Sequence, residues 1–547
     1  MKSPITRADV SLGGPDAWES LEGEHLAENF LPIRQFVEIC HVENTFLSGR
    51  RGSGKSAIAR MLGREAKWTY RRVIQGEYGE YGEYMNIVSE LARYRDAGSP
   101  INVKEAVRRL WAWALPVVAM QTIVTGARGS GRTRDGDIRS LEDYLESLPH
   151  GINVDSSIGH LLAHTFGHAR RLVETGDFHS ALLDLVSSRE HVAALRSLER
   201  ITSSESVLMV FDTLESYRVF QPLMLEGFQG VLEAVVAFLA DPQVSGVSIK
   251  FFLPAEIYEE VMYGFPGKVQ SRTVFLRWRA ADLFAMLARR FLSVVSRAKA
   301  VSGQELARMK DLVDQAYVEN SARHLLKEFW YDTGFLPRMI VDSLGKEEDT
   351  FAYILRHTMR RPRDLITAEM QSIINAAVER SEFPRISAQS VVDGVHNPSA
   401  LLQILKESLM VYDEGGTNEL VDVARTVFYG NPVIMTGREL KLFAKEVYDV
   451  CPPEGIDPRD FVKHLLRCGL IGLLEDRAVD PRPSAVYLKA RFEHLMRDHL
   501  PLADRFTYCV HPVMAEAFNM RPDSERAVYP LPADDLWLER GLGIVEP

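Results

Sequence analysis

The sequence predicts an α/β core, a parallel sheet with flanking helices, followed by a helical lid and a C-terminal domain of helices and short strands. Three observations carry this expectation. A glycine-rich stretch, Gly49-Arg-Arg-Gly-Ser-Gly-Lys-Ser56, lies between a short apolar β-prone run at 45–47 and a helix-compatible run at 56–65. The apolar run Val207-Leu-Met-Val-Phe211 is followed at once by Asp212, as expected of a strand buried on both faces of a parallel sheet. A third apolar run, 247–253, follows a helix-like stretch at 228–239 and so completes a strand–helix–strand order.

The glycine-rich stretch fits GxxxxGK[ST], the pattern of a P-loop. Gly49, Gly52 and Gly54 permit the backbone to curl until successive N–H groups point at phosphate oxygens in front of a helix. Lys55 would reach the β- and γ-phosphates of ATP, and the Ser56 hydroxyl would ligate Mg²⁺. Ser53 and Ala57 complete the expected nucleotide-binding set. A carboxylate at the end of a partner strand must complete the metal site, and Asp212 stands at that end. The next residue is Thr213, which cannot act as a general base at neutral pH, so Glu215 is the nearest candidate to position water. Either Glu215 positions the water, or hydrolysis is slow and the protein works mainly as a nucleotide-gated switch. The third run leads to Pro254 and Glu256, neither of which is a clear γ-phosphate sensor.

Composition bounds the class. The 547 residues predict three to four domains at about 150 residues each. Hydrophobic residues at 46% and charged residues at 25% exclude a largely disordered or fibrous protein. The formal charge of −11 excludes a uniformly basic nucleic-acid coat but leaves room for a local basic groove. Cys40, Cys451, Cys468 and Cys509 are too few and too scattered for a disulfide framework. The N-terminus lacks the apolar run of a signal peptide, and a cytoplasmic protein with no membrane partner is expected. The uncharged stretch 110–127 is at the lower limit of a membrane span. A single crossing there would separate the loop from Asp212, so a buried core helix is expected.

Several other patterns receive blander readings. Gly126-Ala-Arg-Gly-Ser-Gly-Arg-Thr133 repeats the loop's spacing with Arg132 in the lysine's place, and reads as a basic loop with an auxiliary nucleotide or nucleic-acid contact as the alternative. Three tandem Gly-Glu-Tyr triplets at 76–84 read as a partly exposed loop. His160, His164 and His168 read as a structural or partner-facing stripe, because no nearby cysteine or HExxH pattern supports zinc.

After the core, helical sequence from 280 continues to about 377 and includes His357-Thr-Met-Arg-Arg-Pro-Arg-Asp-Leu-Ile366, a basic cluster opening a helix. The GRRGSGKS loop, the FDTLE strand end and the RRPRDLI helix start, in this order, resemble the STAND/KAP and origin-recognition-like branches of P-loop ATPases, allied to AAA+. The resemblance covers roughly 25–380. It implies a P-loop NTPase core, the metal role for Asp212, and a second-sensor role in the lid for Arg363, with Arg361 as the alternative. Arg272, Arg277 and Arg279 are candidates to serve a neighbouring subunit.

The region 430–547 resembles a winged helix, a helix–helix–strand–wing–strand order with an Asp457 N-cap and Pro458 opening the second helix. The expected organisation is an N-terminal segment 1–43, a core 44–275 with a helical insertion at about 100–205, a helical lid 276–385, a connector 386–429 and a winged-helix-like domain 430–547. The resemblance implies an oligomeric Mg-ATP switch, a nucleotide-dependent homo-oligomer that works with a separate effector protein in bacterial antiphage defence. The first alternative is an ATP-dependent DNA-binding protein of the replication-initiator or transposition-regulator class, with DNA held by the C-terminal domain. The second is a scaffold that holds ATP without hydrolysing it.

Overall fold

A computed structural model describes residues 5–12, 26–27, 29–65, 72–76, 81–96, 102–129, 135–148, 183–184, 186–212, 222–258, 269–318, 323–342, 345–409, 417–450, 458–475, 487–493, 499–522 and 527–530. They fall into two compact units. One is drawn from Arg34–Gly49 and Lys55–Leu276, the other from Met1–Ile33, Arg50–Gly54 and Arg277–Pro547.

The first unit runs α1 (Arg34–Cys40), β1 (Phe46–Gly49), α2 (Lys55–Glu65), β2 (Arg72–Gly76), α3 (Tyr81–Asp96), α4 (Val103–Gly129), α5 (Gly136–Ser147), α6 (Arg189–Thr202), β3 (Val207–Phe211), α7 (Pro222–Ala240), β4 (Val247–Pro254) and β5 (Thr273–Phe275). The strands form one sheet in the order β2-β3-β4-β1-β5, parallel at every pairing. Parallel strands need crossovers on the sheet faces, which favours mostly apolar runs covered on both sides, and β3 is the clearest case. All five residues of β3 are buried accordingly. Phe251 on β4 pairs in register with Phe46 on β1 and Phe211 on β3, which sets an aromatic row across the middle of the sheet.

Helix α4 is a principal cover of that row. Trp111 meets Phe211 at 5.7 Å and Phe251 at 6.4 Å, both edge to face. Helix α4 also packs against α7 at Gly230, where a Cβ would come within 2.4 Å of the Lys104 carbonyl. Only glycine permits that approach. Among the described residues one helix, Val103–Arg128, is long and apolar enough to cross a membrane, and 78% of its apolar window is buried inside the protein. Contact with the sheet, α5 and α7 accounts for its lack of charge. The block 100–205 thus shares one apolar core with the sheet through α4, α5 and α6. Gly126 to Gly129, expected in a loop, are the last turn of α4, because the apolar face of the helix continues to Ala127. Residues 130–134, and with them Arg132, lie outside the described residues.

Two polar devices sit in this core. Burial holds His191 down at about 4, so its ring is neutral at pH 7. The Tyr144 hydroxyl accepts from Trp113 Nε1 at 3.2 Å and donates to His191 Nδ1 at 2.7 Å, which ties α4, α5 and α6 together. Lys250 of β4 is also buried and donates to the carbonyls of His41 and Asn44, each at 2.5 Å. It fixes the turn that leads into β1, and burial lowers its pKa to about 8.

The second unit begins with residues 5–12. Leu12 N donates to Gln371 Oε1 at 2.9 Å, and Arg290 donates to the Leu12 carbonyl at 3.0 Å. This segment therefore rests on α8 (Ala280–Arg297) and on the helix that carries Gln371. After α8 come α9 (Gly303–Val318), a hairpin of β6 (Met339–Val341) and β7 (Glu347–Asp349), α10 (Thr350–Arg356), a π-helical turn at Asp364–Met370, α11 (Gln371–Glu379), α12 (Ala388–Val395), α13 (Pro398–Leu409) and α14 (Thr417–Phe428). The C-terminal part adds β8 (Ile434–Thr436), α15 (Gly437–Val450), α16 (Pro458–Arg467), β9 (Ile471–Leu474), β10 (Tyr487–Arg491), β11 (Thr507–Val510), α17 (Pro512–Ala517) and β12 (Ala527–Pro530). These strands form a sheet in the order β12-β10-β9-β11-β8. Its pairings are antiparallel except β10–β12. The stretch expected as a charged wing between β9 and β11 thus contains a strand, β10, that pairs with β9.

The π-helical turn buries two carboxylates, Asp364 and Glu369. Arg361 pairs with Asp364 at 2.7 Å, while burial raises the Asp364 pKa above the ordinary carboxylate value. Glu369 is fully buried and neither of its oxygens has a hydrogen-bond partner. Desolvation, reinforced by the Asp364 charge, pushes its pKa well above the carboxyl range. Its surroundings therefore favour the neutral acid form.

Candidate functional site

The parallel sheet determines where the expected site residues emerge. Strands β1, β3 and β4 run the same way, so their C-terminal ends open at one edge, the edge where open α/β sheets bind ligands. Gly49 ends β1 and pairs with Pro254, the last residue of β4. Asp212 directly follows Phe211 at the end of β3 and is only 3% exposed. Strand β4 lies between β1 and β3, the neighbouring position expected of the third apolar run. Glu256 follows β4 in a short 3-10 turn.

Helix α2 begins at Lys55, immediately after the loop. Its first turn carries Ser56 and Ala57 together with main-chain N–H groups that have no acceptor earlier in the helix. Ile58, Ala59, Met61 and Leu62 bury its inner face. Lys55 is 4% exposed, and its Nζ donates to the Gly49 carbonyl at 2.8 Å. The ammonium is thus tied back to the strand end that precedes its own loop. Thr213 and Glu215 lie outside the described residues, as do His160, His164, His168 and Asp457.

Residues Arg50–Gly54 belong to the second unit and have a backbone that only glycine adopts easily at two places, Gly52 at φ 76° and Gly54 at φ 91°. Ser53 N closes a turn onto the Arg50 carbonyl at 3.1 Å. The segment 361–363 and Trp278 hold this stretch. Trp278 Nε1 donates to the Ser53 carbonyl at 2.7 Å, the Arg363 main-chain N–H to the Gly52 carbonyl at 3.3 Å, and Arg361 to the Arg51 carbonyl at 3.5 Å. A side chain at Gly52 would press on Arg363 Cβ at 3.3 Å.

The two sensor candidates differ in their surroundings. Arg361 is buried, bonded to Asp364 and to Ser408 Oγ at 3.2 Å. Arg363 is half-buried, with Glu407 at 3.7 Å. Arg360, in the same basic cluster, is buried with its guanidinium on the Tyr529 hydroxyl at 3.0 Å. The basic cluster is therefore partly a packing device. Arg279, a candidate to serve a neighbouring subunit, instead pairs with Asp282 of its own helix at 2.8 Å. Sequence reasoning assigned no role to Trp278 or to the acids Asp364 and Glu407. A tryptophan directly after the last core strand was the available signal for the first, and nothing in the pattern pointed to the others.

Among the described residues, no group of three or more His, Cys, Asp or Glu side chains is placed to hold a metal ion unaided. The donor types at the sheet edge, a serine hydroxyl and a carboxylate, are hard oxygens of the kind Mg²⁺ takes when phosphates and water supply the remaining positions. No family model matches the chain. A stretch of 203 residues is 25% identical to an aspartyl/glutamyl-tRNA(Asn/Gln) amidotransferase subunit of Methylobacterium radiotolerans, a match that covers 36% of this chain and 39% of that protein.

Proposed function

We propose that the protein is an Mg-ATP-binding, slowly hydrolysing P-loop ATPase switch that forms a nucleotide-dependent homo-oligomer and works with a separate effector protein. One observation carries this reading: GRRGSGKS connects an interior strand of a parallel sheet, β1, to a helix that starts at its lysine, and Asp212 follows a second strand, β3, at the same edge. Positive φ at Gly52 and Gly54 suits a loop whose amides gather around an anion. Lys55 would exchange the Gly49 carbonyl for phosphate oxygens, and the α2 amides would meet the same charge. Ser56 and Asp212 would hold Mg²⁺, which when bound neutralises phosphate charge. Arg363, the more exposed of the two lid arginines, is the better sensor candidate, and Arg361 then serves as its support. Residues 276–385 act as the lid in this reading, and 430–547 as a winged-helix-like docking module. The setting in bacterial antiphage defence and the effector rest on the family resemblance.

Sizing the full-length protein with ADP, then with a non-hydrolysable ATP analogue, with and without duplex DNA, tests the proposal. A larger species with the analogue alone is expected. A shift that requires DNA would favour an ATP-dependent DNA-binding protein, and one unchanged size in every condition would remove the switch.

A further inference from the structure

Three successive carbonyls of the glycine-rich loop, those of Arg51, Gly52 and Ser53, accept hydrogen bonds from Arg361, the Arg363 main chain and Trp278. A trans peptide is planar, so the C=O of one residue and the N–H of the next point in opposite directions. Each anchored carbonyl therefore turns the following amide away from the clasp. The Ser53 amide is used in the turn to Arg50, which leaves those of Gly52 and Gly54 as the pair aimed outward. Both glycines have positive φ, the alternation from which anion-binding nests are built.

Trp278 makes the shortest of the three contacts, at 2.7 Å. An indole has a single polar hydrogen, and here it is spent on the loop. The ring also lies against the loop, its Cζ2 being 3.8 Å from where a Cβ on Gly54 would stand. Arg361, by contrast, is divided among Asp364, Ser408 and a longer contact to Arg51.

We infer that Trp278 is a positioning residue for the phosphate-binding loop, fixing the Ser53 peptide so that the Gly54 amide is set for an anion before the anion arrives. This rests on the nucleotide reading above. The role is one of preorganisation: without the indole N–H the loop must be ordered at the moment of binding, and affinity falls by that cost.

Trp278→Phe keeps a ring against Gly54 and removes the hydrogen bond. Calorimetric titration of the full chain with Mg²⁺ and a non-hydrolysable ATP analogue is expected to show binding weakened about five- to tenfold, the scale of one lost hydrogen bond. Amide exchange in ligand-free protein is expected to quicken in the peptide containing 50–54 and to stay unchanged in β1 and β3. Wild-type affinity overturns the proposal, and so does weakened binding with unchanged loop exchange. Lys55→Ala, titrated alongside, separates the two levels. If it binds the analogue like wild type, the nucleotide reading itself fails; if it loses binding while Trp278→Phe does not, only the positioning role fails.

Discussion

On the nucleotide reading proposed above, Lys55→Ala is expected to lose the thermal stabilisation that Mg-ATP would confer on the wild type. A ligand at a hundred times its Kd stabilises the native state by about 2.7 kcal/mol. Hydrogen bonds to charged groups contribute about 1.5–3 kcal/mol each, so removing an ammonium that meets two phosphate oxygens weakens binding at least about a hundredfold. At the same nucleotide concentration the variant's melting temperature should barely move. The buried setting of Lys55 sharpens the expectation, because its Nζ is held at the end of β1 and needs only to exchange one oxygen for another. The unliganded variant loses the bond to Gly49, a cost of about 1 kcal/mol, so the nucleotide-dependent shift is the measurement that discriminates. An equal shift in variant and wild type would remove nucleotide binding from this loop.

The second large effect concerns stability. Trp111→Ala should destabilise the sheet unit by about 3–5 kcal/mol, the usual cost of deleting a buried aromatic. Trp111 is fully buried and packs on Phe211 and Phe251, so the cavity would open beneath the strand that delivers Asp212. Denaturant unfolding followed by exchange of the β3 and β4 amides measures it. A loss below about 1 kcal/mol would mean that the cavity collapses at little cost and that α4 is a dispensable cover.

The parts of the fold visible in the sequence are those with a local physical cause. Strand β3 shows in five successive apolar residues because both faces of a parallel strand are covered, and β1 and α2 show because the loop between them needs glycine. The uncharged stretch of α4 announced burial, but periodicity carries no information about which surface covers a helix, and its packing on the aromatic row was not legible. Strand β10 was hidden in a charged segment, since half of a strand's residues can face water when only one face of the sheet is covered.

The site divides in the same way. Gly49, Gly52, Gly54, Lys55 and Ser56 are bound to a motif of fixed spacing, and Asp212 follows from a strand end. Arg361 and Arg363 stand two apart and were interchangeable on charge alone; burial beside Asp364 and Ser408 separates them. Trp278 reaches the loop from 225 positions away in the chain, a separation over which no local pattern operates.

The buried Glu369 has a thermodynamic consequence for the whole chain. In the unfolded state its carboxyl has an ordinary affinity for protons, whereas in the native state burial and the neighbouring Asp364 raise that affinity. At this group folding favours proton uptake, and unfolding favours release. At this one acid the native state holds its proton to higher pH than the unfolded state, so the group lowers stability as pH rises above the ordinary carboxyl range. Through this group the heat of unfolding comes to include part of the buffer's own heat of ionisation.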